Sequence, residues 1–527
     1  TDLDQQTTSS FQSYAENDMI DVDETDDTRE LIKNLASDDR RVVVTTIQKI
    51  NAMIRQFDEG RHQKVYDRIK NLKLAFVVDE CHRAVSPQTK REIERFFANS
   101  LWFGFTGTPI FEENKYEQKG DLPQTTEELY GECLHSYTIK EAIHDKAVLG
   151  FNIENLGPEN IRPEDEVAYY NSENHKRKVL DVMLNRSKSK FGMQLVKGKT
   201  YEAMLTVDSI ASAQEYYDLI MRIKAGDDEL KISEEVMKAL PDFPKTAITF
   251  SVVENEEASK TNQEAMKRYL DDYSKMFKSR SYGLGEITAY NNNLNERLAR
   301  NGNKYTDRME QLDLVIVVDR LLTGFDAPCL STIFIDREPM KPQHLIQAFS
   351  RTNRIKDSNK MYGQIVTFRS PREYKKRINE ALVLYSKGGF GKAVAEDWDT
   401  VLSQFETSLK TIRNFAPTPT DVLGLSDRQK KVFIEFDHNF AHLKSFSTYD
   451  NEMLKKYDFT EEDYEDYAAV YHNVIAVLPP RPAKDEEDNE ILDDYELVAY
   501  SKFKVDFEYI VSLLQGFVDS MSAAESG

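Results

Sequence analysis

In the stretch LAFVVDECHR, Leu74 to Arg83, five apolar residues end abruptly in Asp79, Glu80, Cys81, His82 and Arg83. A short, unbroken apolar run suits a parallel strand buried on both faces, and the carboxyl edge of such a sheet is where open α/β folds place ligands. Two adjacent acids at that edge suggest metal and phosphate chemistry. The competing explanation is that Asp79 and Glu80 only start the next helix, where carboxylates favour the positive end of the dipole. Far along the chain, HLIQAFSRTNR offers the complementary charge: Arg351 and Arg354 are three residues apart and are expected to project from one face of a helix.

Such groups need elements to hold them. RVVVTTIQKI (41–50) predicts a strand ending in small hydroxyl residues, then a helix, and LWFGFTGTPI (101–110) predicts a third strand, interrupted by Gly104 and Gly107 and stopped by Pro109. Helical sequence separates the three. Past about residue 150 the pattern recurs, with AMLTVDS, TAITFS, LDLVIVVD, STIFID and GQIVTF as buried strands. Strands alternating with helices imply right-handed βαβ units and two parallel-sheet domains in tandem. Beyond about residue 390 helical spacing takes over, in DRQKKVFIEFDHNFAHLKSF and in YELVAYSKFKVDFEYIVSLLQGFV, and its aromatics are expected to form a core rather than a base-stacking platform. The expected division is 1–145, 146–390 and a helical domain, 391–527.

A chain of 527 residues is too long for one ordinary domain, and 30% charged with 11% aromatic residues is a globular balance. No apolar run approaches the length of a membrane span. Cys81, Cys133 and Cys329 are too scattered for a metal pair or a disulfide framework, which fits a reducing, cytoplasmic compartment. The net charge of -22 is concentrated: residues 1–30 carry -9 and residues 484–496 carry -7, leaving only -6 on the remainder. The acidic runs are expected to be solvated segments, and the global sign excludes no nucleic-acid partner.

Taken in order, TTIQ, DECHR, GFTGTP, LLTGFDAP and QAFSRTNRI resemble the superfamily 2 helicases and translocases, and in their wording the motor subunit of type I restriction enzymes. The resemblance spans most of residues 1–370. It implies two RecA-like domains, the first incomplete, followed by a helical domain that docks on the modification and specificity subunits. It implies ATP as substrate and Mg²⁺ as its partner ion, with Asp79 holding the ion through water. Glu80 would activate the attacking water, and Arg351 and Arg354 would act as arginine fingers. His82 would couple the nucleotide site to the second domain, with Gln347 as its partner, while Thr106 and Thr108 would link hydrolysis to the DNA track. Gly324 and Asp326 would relay nucleotide state. Thr45, Thr46, Gln48 and Thr323 would contact the phosphate backbone of double-stranded DNA, although small hydroxyl residues at strand ends are also ordinary caps.

A motor of this kind needs a phosphate-cradling GxxxxGK[ST], and none precedes DECHR. In GMQLVKGKT (192–200), Gly192 lies six positions before Gly198 instead of five and the segment leads into a strand, so a surface turn is expected. The chain opens on TDLDQQT, which suggests truncation within the first motor domain and the loss of an amino-terminal nuclease; nucleotide binding by this chain alone is then expected to be weak. Another superfamily 2 motor, such as a type III restriction or repair translocase, or a non-catalytic docking module would share the same scaffold.

Overall fold

The structure, a computed structural model, describes residues 22–475 apart from 26, 38–41, 159–160, 194–199, 251–256, 279–280, 301–303, 358 and 387–393. The closing helical sequence 495–518, the acidic run 484–496 and most of GMQLVKGKT lie outside the described residues, as does the chain before Val22.

Four short strands form the first region. β1 (Val22–Glu24) pairs in parallel with β2 (Val42–Val44), and β3 (Leu74–Val78) pairs in parallel with β4 (Ser100–Gly104). Their connections are helices with clear signals: Thr46 accepts from Lys49 N–H to cap Ile47–Asp58, and Ser86 followed by Pro87 caps Pro87–Phe96. Part of the acidic opening is thus ordered, because β1 has a ladder to join and the helix Thr28–Leu35 buries Leu31 and Ile32.

The expectation that LAFVV is buried on both faces is not met. Burial alternates along β3 and β4: Phe76 and Trp102 pack on a core with Met53, Phe57, Ile69, Ile93 and Phe97, while Ala75 and Val77 face outward beside Leu101 and Phe103. Val77 is 58% exposed and Leu101 65%. The helices that pack here all contribute to one core, and among the described residues nothing covers the other face.

The second region is built more completely. Six parallel strands run in the order β5 (Phe151–Asn155), β10 (Gly363–Thr367), β9 (Leu330–Asp336), β6 (Glu202–Val207), β8 (Leu314–Val317), β7 (Thr246–Thr249). Every residue of the five strands inside and beyond β5 is buried, as continuous apolar runs between two helical layers require. The edge strand β5, FNIEN, has no such run and was not legible beforehand. The third region is helical: Trp398–Phe415 packs on Asp427–Ser445, with Glu461–Ile475 beyond. Its aromatics are core, with Phe405 stacked on Phe440 at 5.4 Å and Phe436 and Phe459 alongside. A buried Lys190–Glu154 pair (2.6 Å), whose Glu154 also accepts from Ser447 N–H at 2.9 Å, fastens this region to the second sheet.

Candidate active site

β3 delivers the first set of groups. Asp79 is exposed, and its Oδ1 accepts the Glu80 N–H at 2.8 Å. Glu80 sits in the left-handed region, φ +47°, so the chain turns sharply into the short helix Cys81–Ala84, whose first N–H donates to Phe105 O at 2.9 Å. That turn also brings β4 close. A side chain at Gly104 would meet Cys81 Sγ at 2.7 Å, which only glycine avoids. Burial raises the Glu80 carboxyl above its usual range, opposed by Arg83. Its Oε2 has no hydrogen-bond partner and lies 3.5 Å from His82 Nδ1.

His82 is buried, and burial pushes its ring down to about 4, with Arg83 and His344 adding to the effect. A neutral ring has one donor and one acceptor nitrogen, and its neighbours fix which is which. Gln347 Nε2 lies 3.0 Å from His82 Nε2 and 2.9 Å from Thr108 Oγ1, so both amide hydrogens are used and Nε2 accepts. Nδ1 then donates to Thr106 Oγ1 at 2.7 Å, which also accepts the Thr108 N–H at 3.0 Å. Gln347 comes from the helix Pro342–Phe349 of the second region, so this network crosses the cleft between the two sheets.

The two arginines do not share a helical face. That helix ends at Phe349, because Ser350 and Thr352 turn their hydroxyls back onto Ile346 O (2.7 Å) and Phe349 O (2.8 Å). Beyond the turn the side chains diverge. Arg351 runs inward, donating to Gln347 O at 3.1 Å and to Phe325 O. Burial pushes its guanidinium down to about 10, Arg354 adding to this and Glu80 opposing it, which places Arg351 in the field of the first region's acid. Arg354 stays half-exposed and pairs with Asp326 Oδ1 at 2.8 Å. The backbone of this turn is crowded: any side chain at Gly363, where β10 starts, would collide with Thr352.

Gly324 (φ +67°) and Asp326 lie in the loop between β8 and β9, with Thr323 half-buried beside them. Thr45 accepts from Thr25 Oγ1 at 3.0 Å, Thr46 is a helix cap, and Gln48 is exposed. Among the described residues no hydrogen bond joins Thr45, Thr46, Gln48 or Thr323 to the cleft network, in contrast to Thr106 and Thr108. Sequence patterns gave no sign of Tyr116, whose hydroxyl donates to His82 O at 2.5 Å, nor of Tyr385, which bonds the Pro109–Asn114 segment. Both are aromatics in ordinary settings, recognisable only once distant segments are brought together.

Among the described residues no cluster of three His, Cys, Asp or Glu could cage a metal. The donor set does suit a small hard cation that keeps its water and takes one carboxylate, because Asp79 is exposed and the neighbouring Glu80 Oε2 is unpartnered.

Comparison with known proteins finds three family models along the chain: residues 1–177 match SWI2/SNF2 ATPase, 199–370 match type I restriction enzyme subunit R domain 3, and 393–526 match the type I restriction and modification enzyme subunit R C terminal. An endonuclease subunit of a type I restriction enzyme from Staphylococcus saprophyticus is 28% identical over 533 residues, covering 98% of this chain and 53% of its own length. A counterpart from Staphylococcus aureus MSSA476 is 28% identical over 537 residues with the same coverage. The chain thus spans about half the length of the curated relatives it matches. A solved fragment of a type I restriction enzyme HsdR subunit from Vibrio vulnificus YJ016 superposes with a TM-score of 0.36 at 13% identity, over 64% of this chain and 49% of that one.

Proposed function

Because this chain belongs to the type I restriction enzyme R-subunit family, we propose that it is the motor portion of such a subunit, coupling ATP hydrolysis in the cleft to the pumping of double-stranded DNA before cleavage. The observation that carries this reading is the Gln347 amide, which reaches both His82 and Thr108 across the cleft while Arg351 stands in the field of Glu80. A site assembled from two sheets is formed only when they close, so closure and chemistry are tied. A pure docking scaffold has no need of acids, bridging amide and arginines together.

In this mechanism Glu80 accepts a proton from the attacking water, its raised pKa bringing it closer to neutral pH than an ordinary glutamate. Asp79 would hold Mg²⁺ through water, and the ion when bound would neutralise phosphate charge. Arg354 leaves Asp326 to meet the γ-phosphate, whose transition state demands charge neutralisation more than covalent help. Arg351, already bonded to Gln347 O and Phe325 O, ties that response to the Gly324–Asp326 loop. Thr45, Thr46, Gln48 and Thr323 would hold the DNA backbone without reading bases.

The proposed organisation is motor domain 1 over 1–145, motor domain 2 over 146–390 and a helical domain over 391–527 that docks on the modification and specificity subunits in the cytoplasm. No helix among the described residues is long and apolar enough to cross a membrane. Since no GxxxxGK[ST] occurs, this chain alone should bind ATP weakly. The test joins the chain to a phosphate-loop segment and measures displacement of a third strand from a DNA triplex. ATP-dependent displacement that Glu80→Gln abolishes is expected; displacement unaffected by Glu80→Gln would overturn the assignment of the site.

A further inference from the structure

The cleft is bridged a second time, by a residue outside every motif. Tyr385 is the last residue of the helix Pro371–Tyr385 in the second region and is 6% exposed. Its hydroxyl accepts from Asn114 Nδ2 at 3.0 Å and donates to Pro109 O at 3.2 Å, and its ring lies 5.8 Å from that of Phe111. Both polar partners belong to the first region. The Asn114 amide is not free to turn, because its Oδ1 accepts the Phe111 N–H at 2.8 Å, which leaves Nδ2 aimed at the tyrosine. A hydroxyl that donates once and accepts once is here fully used.

What the contact seats is as telling as the contact itself. Pro109 follows Thr108, the residue Gln347 reaches, so adjacent residues are bonded to two different helices of the second region. At the far end of the same segment, Tyr116 OH holds the carbonyl of His82, the other residue Gln347 reaches. The segment from Thr106 to Tyr116 therefore grips His82 from two sides, and Tyr385 holds that segment from across the cleft.

We propose that Tyr385 is a positioning residue: it seats the Pro109–Asn114 segment on the second region, and so sets the closed arrangement in which Gln347 meets His82 and Thr108. This rests on the motor reading for its purpose, though the seating itself does not. Tyr385→Phe keeps the ring and its packing while leaving Asn114 Nδ2 and Pro109 O unpaired, a loss that shifts a two-state closure by about tenfold.

The test uses the chain as it stands. Cys133 is the exposed cysteine and Cys81 and Cys329 are buried, so Cys133 takes one dye and Met309→Cys, at a site 60% exposed in the second region, takes its partner. Single-molecule energy transfer then reports the ratio of closed to open molecules without requiring ATP turnover. Tyr385→Phe and Asn114→Ala should each lower that ratio by about tenfold, the double variant should be no worse than Tyr385→Phe, and the melting temperature of the second sheet should hold. Tyr290→Phe, which removes a buried hydroxyl bonded to Ile248 O inside the second region, should leave the ratio unchanged. An unaltered ratio in Tyr385→Phe, or a fall matched by Tyr290→Phe, would overturn the seating role. A fall in the ratio with undiminished ATP turnover in the phosphate-loop-bearing protein would instead count against the motor reading.

Discussion

The β3–β4 pair of the first region and the six-stranded sheet of the second are made from the same kind of sequence and are held in opposite ways. LVIV in β8 is buried on both faces under helices that belong to a single core; LAFVV in β3 packs one face and leaves Val77 58% exposed on the other. The difference teaches that an apolar run states a capacity for burial, whereas the elements around it decide whether that capacity is used. It also divides the labour of the site. The acids and His82 stand on the thinly backed sheet, and Gln347, Arg351 and Arg354 follow from the fully buried one. The second region is thus the anvil, and the first region is placed by what bridges to it.

Three perturbations sharpen this contrast. The largest loss is expected where burial is deepest: Asp336, at the end of β9, accepts from Tyr216 OH at 2.7 Å and Arg369 Nε at 3.0 Å and lies 2.8 Å from His175 Nε2. Its partners hold its carboxyl at about 2 against the push of burial. Asp336→Asn leaves the buried Arg369 with Asp208 as its remaining carboxylate partner, 2.9 Å from Nη1, and should cost up to about 3–5 kcal/mol, read by calorimetry as a lowered transition for residues 151–385. Next comes a matched pair. Leu205→Ala in β6 should cost about 2–5 kcal/mol as a core cavity, and Leu101→Ala on the bare face of β4 no more than about 0.5 kcal/mol. Equal costs would dissolve the comparison.

The third effect is a pH dependence confined to the first region. His82 titrates near 6.5 when unfolded and at about 4 in the fold, so the folded state favours the neutral ring. Between those values the unfolded chain binds a proton that the folded chain does not, and stability must fall as pH drops from about 6.5 towards 4. The slope, on the order of 1 kcal/mol or somewhat more per pH unit at its steepest, should vanish in His82→Gln when hydrogen exchange is followed at Cys81–Ala84. Retention of the full slope would show that His82 is solvated and that the cleft network is not formed.

How far the sequence reached follows from the range of each interaction. β3, β4, β6 and β8 were legible because β-branched and aromatic runs bounded by Gly, Pro and Asp are local signals, and the helix caps at Thr46 and Ser86 are local too. β5 was not, because FNIEN draws its strand character from β10, more than two hundred residues away. The pairing of His82 with Gln347 could be anticipated from motif order, while Tyr385 could not, since its partners lie 271 and 276 positions off and none carries a pattern. The one-face expectation for Arg351 and Arg354 failed through a local effect, the hydroxyls of Ser350 and Thr352 that end the helix early.

On the proposed function, catalysis is shared across the cleft, with charge on the transition state neutralised from the second region. ATP turnover by Arg354→Ala, in a protein that joins this chain to a phosphate-binding loop, tests it most directly. Arg354 is half-exposed and, among the described residues, its side chain bonds Asp326 alone, so its loss should spare the fold and DNA affinity. Turnover should drop by on the order of a thousandfold or more, since an arginine finger acts chiefly in the transition state. Arg354→Lys should not restore it, because a point charge cannot reproduce the planar fork. Near-normal turnover in both variants, with unchanged melting and DNA binding, would contradict the account and return Arg354 to the protein surface.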